Sequence, residues 1–136
     1  MSRTFATRIV SLALAAAVVL IALPASAATD PDGAYQGNLV GSPDTKVRHK
    51  VTNNGKFIRR WYSVMGATCG LSVGVTTVYI PVMRVRANNT FRGRYHPNDR
   101  VDLKYRGNQV GRRASGNIEG TNNGCYVKFD WKSRHK

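Results

Sequence analysis

Residues 45–64 read TKVRHKVTNNGKFIRRWYSV, and this stretch determines the fold class. Polar and apolar side chains alternate at its start, so Lys46, Arg48 and Lys50 share one face of a strand opposite two valines. The Asn-Asn-Gly that follows contains Asn-Gly, which favours a tight hairpin turn because both residues tolerate positive φ angles. Residues 57–64 then provide the partner strand. The stretch therefore predicts an antiparallel β-hairpin.

Short strands and turn residues alternate through the rest of the chain. Strands are predicted over residues 34–39, 71–80, 82–86, 90–95, 101–106, 110–119 and 125–131, with Pro81 interrupting one run. Residues 65–70 are small and predict a loop that carries Cys69, residues 28–33 a loose arm, and residues 132–136 a basic tail. No sustained apolar period of 3.6 residues is present. We therefore predict an all-β fold, a small antiparallel barrel or sandwich of about eight strands.

The N-terminal residues read as a targeting segment. Arg3 and Arg8 precede an apolar run over residues 9–23, and Ala25-Ser26-Ala27 forms an A-x-A cleavage site. These are the three parts of a secretory signal peptide. We predict a signal peptide over residues 1–27 and a single secreted β domain over residues 28–136, located outside the cell. No later apolar segment is long enough to span a bilayer.

The chain contains two cysteines, Cys69 and Cys125. An even number of cysteines in an exported domain predicts a disulfide bond. Neither cysteine has a histidine nearby in the sequence, and the three histidines are dispersed. We therefore expect no metal site and no cofactor.

The charge balance is strongly basic. The whole chain carries 21 Lys and Arg against 7 Asp and Glu. Without Arg3 and Arg8, residues 28–136 carry 19 against 7, a formal charge of +12. Such an excess repels itself in a compact domain, so it suggests an anionic partner.

The alternating pattern places many cations on the outer face of the predicted sheet. The candidate anion-binding residues are Arg48, Lys50, Arg84, Arg86, Arg92, Arg94, Lys104 and Arg106. Such a surface suits phosphate or sulfate groups. A cell-envelope phosphate polymer, a nucleic acid and an acidic polysaccharide all fit. Most aromatic residues fall on the apolar faces, with Tyr62 and Tyr126 as exceptions, which weakens the case for single-stranded nucleic acid.

Two other functions remain open. In a small secreted ribonuclease, Glu119 and either His49 or His96 would act as base and acid. No local motif supports this pairing, and the chain has no nucleophile elbow, P-loop or dinucleotide fingerprint. Binding is therefore the leading hypothesis, and catalytic residues are not assigned. A module that contacts a protein partner through its loop tips is the third possibility.

Several short motifs carry a family resemblance. They are GAYQG at 33–37, NNG at 53–55, Cys69, NTFRG at 89–93, YRG at 105–107, ASGNI at 114–118 and CYVKFDW at 125–131. On these motifs the chain resembles a group of small secreted bacterial β-domains of unknown function. The resemblance implies a β-barrel or sandwich with one disulfide, and it implies no activity. This chain departs from the group in carrying more Arg and Lys in its strands.

Overall fold

The computed structural model describes residues 30–136, which contain eight β-strands and no helix. The strands are β1 Gly33–Leu39, β2 Ser42–Thr52, β3 Phe57–Cys69, β4 Ser72–Arg84, β5 Thr90–Asn98, β6 Val101–Val110, β7 Arg113–Asn122 and β8 Cys125–His135. The predicted all-β fold of about eight strands is confirmed. The predicted signal peptide, residues 1–27, lies outside the described residues.

All eight strands belong to one antiparallel sheet. Their order is β4-β3-β2-β1-β8-β7-β6-β5, so every neighbouring pair is a hairpin except β1 and β8. The last residues of β3 also pair with the first residues of β8, which closes β1, β2, β3 and β8 into a four-stranded barrel. The two sheet edges meet at a single bridge between Val85 and Phe91.

Several segments differ from the sequence predictions. The predicted strand over residues 110–119 contains the turn at residues 111–112, so Val110 ends β6 and residues 113–119 lie in β7. Residues 65–69, predicted as a loop, continue β3, because Met65 and Ala67 alternate inward and pair with β4. Strand β4 runs on through Pro81, which is tolerated because β4 is an edge strand of the sheet. Residues 132–135, predicted as a tail, extend β8, which pairs with β1 and β7 on either side.

The predicted loose arm is also held in place. The side chain of Asp32 accepts hydrogen bonds from the backbone N–H groups of Asn54 and Gly55, each at 2.9 Å. The hydroxyl of Tyr35 donates to the carbonyl of Pro31 at 2.7 Å. These contacts fasten residues 31–32 to the turn that joins β2 and β3.

The core is organised around Trp131 on β8. Its ring lies 5.5 Å from the ring of His49, 5.7 Å from that of Trp61 and 6.1 Å from that of Phe91, measured between centroids. Trp61 also stacks on Phe129 at 5.7 Å. Both tryptophans are fully buried. The cluster therefore joins β2, β3, β5 and β8 across the interior of the molecule.

Glycines make room for these rings. A Cβ atom at Gly107 would lie 2.5 Å from the ring of Phe91, and one at Gly116 would lie 3.1 Å from the indole nitrogen of Trp131. Both glycines lie in the YRG and ASGNI motifs. Those motifs therefore serve the packing of aromatic rings against the backbone of β6 and β7.

The predicted disulfide between Cys69 and Cys125 is present. It joins the end of β3 to the start of β8, where the two strands pair directly. The bond therefore fixes the contact that closes the four-stranded barrel.

Hairpin topology gives the molecule two distinct ends. The turns at residues 40–41, 70–71, 99–100 and 123–124 lie at one end, here called the disulfide end. The turns at residues 53–56, 85–89 and 111–112 lie at the other end, here called the terminal end, together with Asp30 and Lys136.

Loss of the disulfide is expected to lower the free energy of unfolding. The bond joins residues 56 positions apart, and closing a loop of that length is worth roughly 4 kcal/mol in the chain-entropy treatment. Urea denaturation of the oxidised protein and of the double variant Cys69→Ala, Cys125→Ala should show this difference. Titration of two reactive thiols in the native, unreduced protein would contradict the disulfide.

His49 is a buried titratable residue of the core. Its Nε2 lies 2.7 Å from the hydroxyl of Ser133, and its ring stacks on Tyr35 at 4.9 Å. Burial disfavours the charged imidazolium and lowers the pKa of His49 to about 3. The imidazole therefore stays neutral in the folded protein under mildly acidic conditions.

Stability is expected to fall as the pH drops from about 6.5 towards 3. The unfolded state binds a proton on His49 below its ordinary pKa, and the folded state does not, so the slope approaches 1.4 kcal/mol per pH unit. Urea denaturation across this range should show a smaller slope for His49→Leu than for the unmodified protein. Equal slopes in the two proteins would contradict the burial argument.

Candidate functional site

All eight predicted anion-binding residues are exposed. The structure places them as follows: Arg48 and Lys50 on β2, Arg84 at the end of β4, Arg86 in the following turn, Arg92 and Arg94 on β5, and Lys104 and Arg106 on β6. Arg92, Arg94, Lys104 and Arg106 adjoin one another on the paired strands β5 and β6. Arg48 and Lys50 lie apart from them, because β2 is separated from β5 and β6 by β3 and β4 in one direction and by β1, β8 and β7 in the other. The sequence pattern indicated the correct face but not this separation.

Part of the predicted set does converge where the sheet edges meet. Arg86, Arg92 and Arg106 line one shallow groove of about 580 Å³. The backbone N–H of Arg86 donates to the carbonyl of Thr90 at 2.8 Å, which brings the turn after β4 against β5. The groove also contains one carboxylate, that of Asp130.

Carboxylates lie next to two of the predicted residues. The Arg94 guanidinium donates two hydrogen bonds of 2.6 Å to the carboxylate of Asp102, and these hold the pKa of Asp102 below its usual range. Lys104 lies directly opposite Glu119, whose carboxylate is 3.8 Å from the Nζ of Lys128. Arg94 is therefore paired with an acid. Lys104 lies between Arg94 and Glu119 and forms no ion pair within residues 30–136. With Arg92 and Arg106, the two residues line a pocket that also contains Glu119.

The net charge lies towards the terminal end. Each strand can be divided at its middle residue, which splits the domain into two halves. We call the half at the terminal end the basic half. It holds fourteen of the nineteen Lys and Arg in residues 28–136. It holds two of the seven carboxylates, Asp30 and Asp32. Its cations, all of them exposed, are Arg48, Lys50, Lys56, Arg59, Arg60, Arg84, Arg86, Arg92, Arg106, Arg112, Arg113, Lys132, Arg134 and Lys136.

The half at the disulfide end is neutral. It holds four cations and four carboxylates. Arg94 and Asp130 stand at the middle of their strands and are counted in neither half. The eight charged residues are Lys46, Arg100, Lys104, Lys128, Asp44, Asp99, Asp102 and Glu119. The formal charge of +12 therefore belongs entirely to the basic half. Neither of the two ion pairs within residues 30–136 involves a cation of that half.

Sequence reasoning missed a second basic groove. It lies across β1, β8 and β7, measures about 780 Å³, and is lined by Arg113, Lys132, Arg134 and Lys136 without a carboxylate. Arg134 lies directly opposite Arg113. The signal was the alternation of cations in residues 132–136, which continues the period of the preceding strand.

A bulge on β3 exposes two consecutive arginines. Arg60 has a φ of 53°, in the left-handed region, and the register between β2 and β3 shifts by one residue nearby. Ile58 and Trp61 both point inward, so Arg59 and Arg60 both lie outside. The left-handed conformation costs about 1–2 kcal/mol for a residue other than glycine, and the burial of Trp61 offsets it. Strict alternation cannot predict such a pair.

The residues considered for catalysis do not come together as a set. His49 is buried in the core, whereas Glu119 lies on the outer face of β7 between Lys104 and Lys128. His96 lies on β5, where its Nδ1 is 2.9 Å from the carbonyl oxygen of Val101. Within residues 30–136 there is also no cluster of three His, Cys, Asp or Glu side chains suited to a metal ion. No helix in that range is long and apolar enough to cross a membrane.

Comparisons of the chain with known protein families, with curated proteins and with solved structures gave no match. The resemblance to small secreted bacterial β-domains therefore stays a prediction from the motifs.

Proposed function

We propose that the protein is a binding module that grips an anionic polymer through the basic half. The observation that carries the proposal is the segregation of charge: fourteen exposed cations occupy this half, and the rest of residues 30–136 is neutral. We further propose that it acts outside the cell after removal of residues 1–27.

The concentration of like charges in the basic half has an energetic cost. Cations that crowd one end of a domain repel one another and destabilise the compact state. In the neutral half, by contrast, carboxylates stand beside cations, as Glu119 stands beside Lys128. An anionic partner would relieve the repulsion in the basic half, and each cation that contacts it would release counterions from the polymer.

The distribution of the cations favours a polymer over a small anion. Arg48, Gln36, Arg134 and Arg113 are successive partners across β2, β1, β8 and β7. Adjacent strands are about 4.8 Å apart, so the three arginines follow a line of roughly 14 Å over the surface. The grooves along this half are open and shallow, and an extended chain can contact cations on several strands at once.

Two matched variants test whether the location of the charge matters. The basic-half variant is Arg86→Gln, Arg92→Gln, Arg113→Gln, Arg134→Gln, and the neutral-half control is Lys46→Gln, Arg100→Gln, Lys104→Gln, Lys128→Gln. Each removes four exposed cations. Binding to labelled inorganic polyphosphate, followed by fluorescence anisotropy at several salt concentrations, should weaken at least about tenfold for the first variant. Its slope of log affinity against log salt should flatten by up to about 3.

The control variant should bind polyphosphate nearly as the unmodified protein does. Equal losses in both variants would mean that affinity follows total charge, and would contradict a surface confined to the basic half. An unmodified protein that does not bind polyphosphate even at low salt would overturn the proposal.

A further inference from the structure

Two exposed tyrosines lie side by side at the border of the basic half. Tyr62 on β3 and Tyr79 on β4 are directly opposite each other, and their exposed fractions are 42% and 45%. Directly opposite residues have Cβ atoms about 4.5–5.5 Å apart. The two rings therefore project together from the outer face of the barrel.

Cations adjoin this pair on the same outer face. Tyr62 is directly opposite Arg48 on its other side, so an arginine and two tyrosines form one row across three strands. Lys50 lies opposite Arg59, and the bulge adds the exposed Arg60. We call the six residues Arg48, Lys50, Arg59, Arg60, Tyr62 and Tyr79 the aromatic platform.

The platform lies in the part of the chain without acids. Residues 45–98, which include nearly all of β2 and the whole of β3, β4 and β5, contain no Asp or Glu. A phosphate that approaches the platform therefore meets no carboxylate within residues 45–98. The sequence alone did not show the tyrosine pair, because Tyr79 faces outward beside Tyr62 only in the register of the folded hairpin.

We propose that the platform binds a single-stranded nucleic acid, with bases stacked on Tyr62 and Tyr79 and phosphates held by the adjoining cations. This inference rests on the proposed function and names its polymer. Cations alone serve any polyanion, but exposed rings among them favour a ligand with flat, unpaired faces. In a duplex those faces are stacked in the interior, so the single strand is the form that the rings can contact.

An oligonucleotide and its abasic counterpart separate stacking from charge. Both should be single-stranded DNA of the same length and the same number of phosphates, and binding should be measured by anisotropy at one moderate salt concentration. The oligonucleotide with bases should bind at least about tenfold more tightly than the abasic one. The double variant Tyr62→Val, Tyr79→Val should lose this advantage while its affinity for the abasic strand stays unchanged.

Tyr126→Val is the matched control for the tyrosines. Tyr126 is exposed to a similar extent, 47%, but it lies on β8 near the disulfide end. Its replacement should leave both affinities unchanged. Circular dichroism and thermal unfolding should confirm that all variants are folded.

The variant Arg60→Gly tests the cation of the bulge without disturbing the fold. Glycine adopts the positive φ of this position readily, so the unfolding temperature should be unchanged or higher. Affinity for both oligonucleotides should fall several-fold, because a phosphate contact is lost. Unchanged affinities for both would remove Arg60 from the proposed contact.

Base stacking on the tyrosines and binding of a polyanion can be disproved separately. Equal affinity for the two oligonucleotides, unaffected by the tyrosine variants, would overturn stacking and leave polyphosphate binding intact. Binding of a sulfated polysaccharide should also be measured. If the tyrosine double variant lost as much affinity for this polysaccharide as for the base-bearing strand, the assignment to nucleic acid would be overturned. An unmodified protein that does not bind polyphosphate would instead overturn the proposed function.

Discussion

The packing of Trp131 against His49, Trp61 and Phe91 is the interaction on which the rest of the structure depends. These four residues come from β8, β2, β3 and β5, which are separated along the chain and, for β5, across the sheet. Burying one large aromatic side chain contributes roughly 4–6 kcal/mol before entropic costs. Because side chains alternate along a strand, fixing these rings inside also fixes which neighbours lie outside. The packing of the core rings therefore determines which cations face outward.

The sequence predicts which face of a strand each residue occupies. It does not predict where that residue lies along the barrel axis. Alternation correctly placed Arg48 outside and Val47 inside, and the cysteine pair correctly predicted the disulfide. A period of two residues says nothing about which end of a strand a residue approaches. It therefore could not show that Lys104 lies in the neutral half and Arg94 at the middle of its strand, whereas the other six candidates lie in the basic half. That information arises only when hairpins set the strands side by side.

Two local features explain the remaining differences. The bulge at Arg60 breaks the alternation, and it is stabilised by the burial of Trp61 rather than by a local turn signal. Residues 65–70 resemble a loop in composition, yet pairing with β4 and β8 holds residues 65–69 in a strand. In both places tertiary contacts override local preference. The tyrosine pair belongs to the same class, because its register depends on the whole β3–β4 hairpin.

The separation of a basic half from a neutral half makes the molecule a permanent electric dipole directed along the barrel axis. In the field of an anionic surface such a molecule experiences a torque as well as an attraction, and it rotates before it makes contact. The terminal end will therefore arrive first, and the disulfide end will point away. Bound copies would share one orientation and present to the solvent the uncharged tip of the β3–β4 hairpin, where Leu71 is fully exposed.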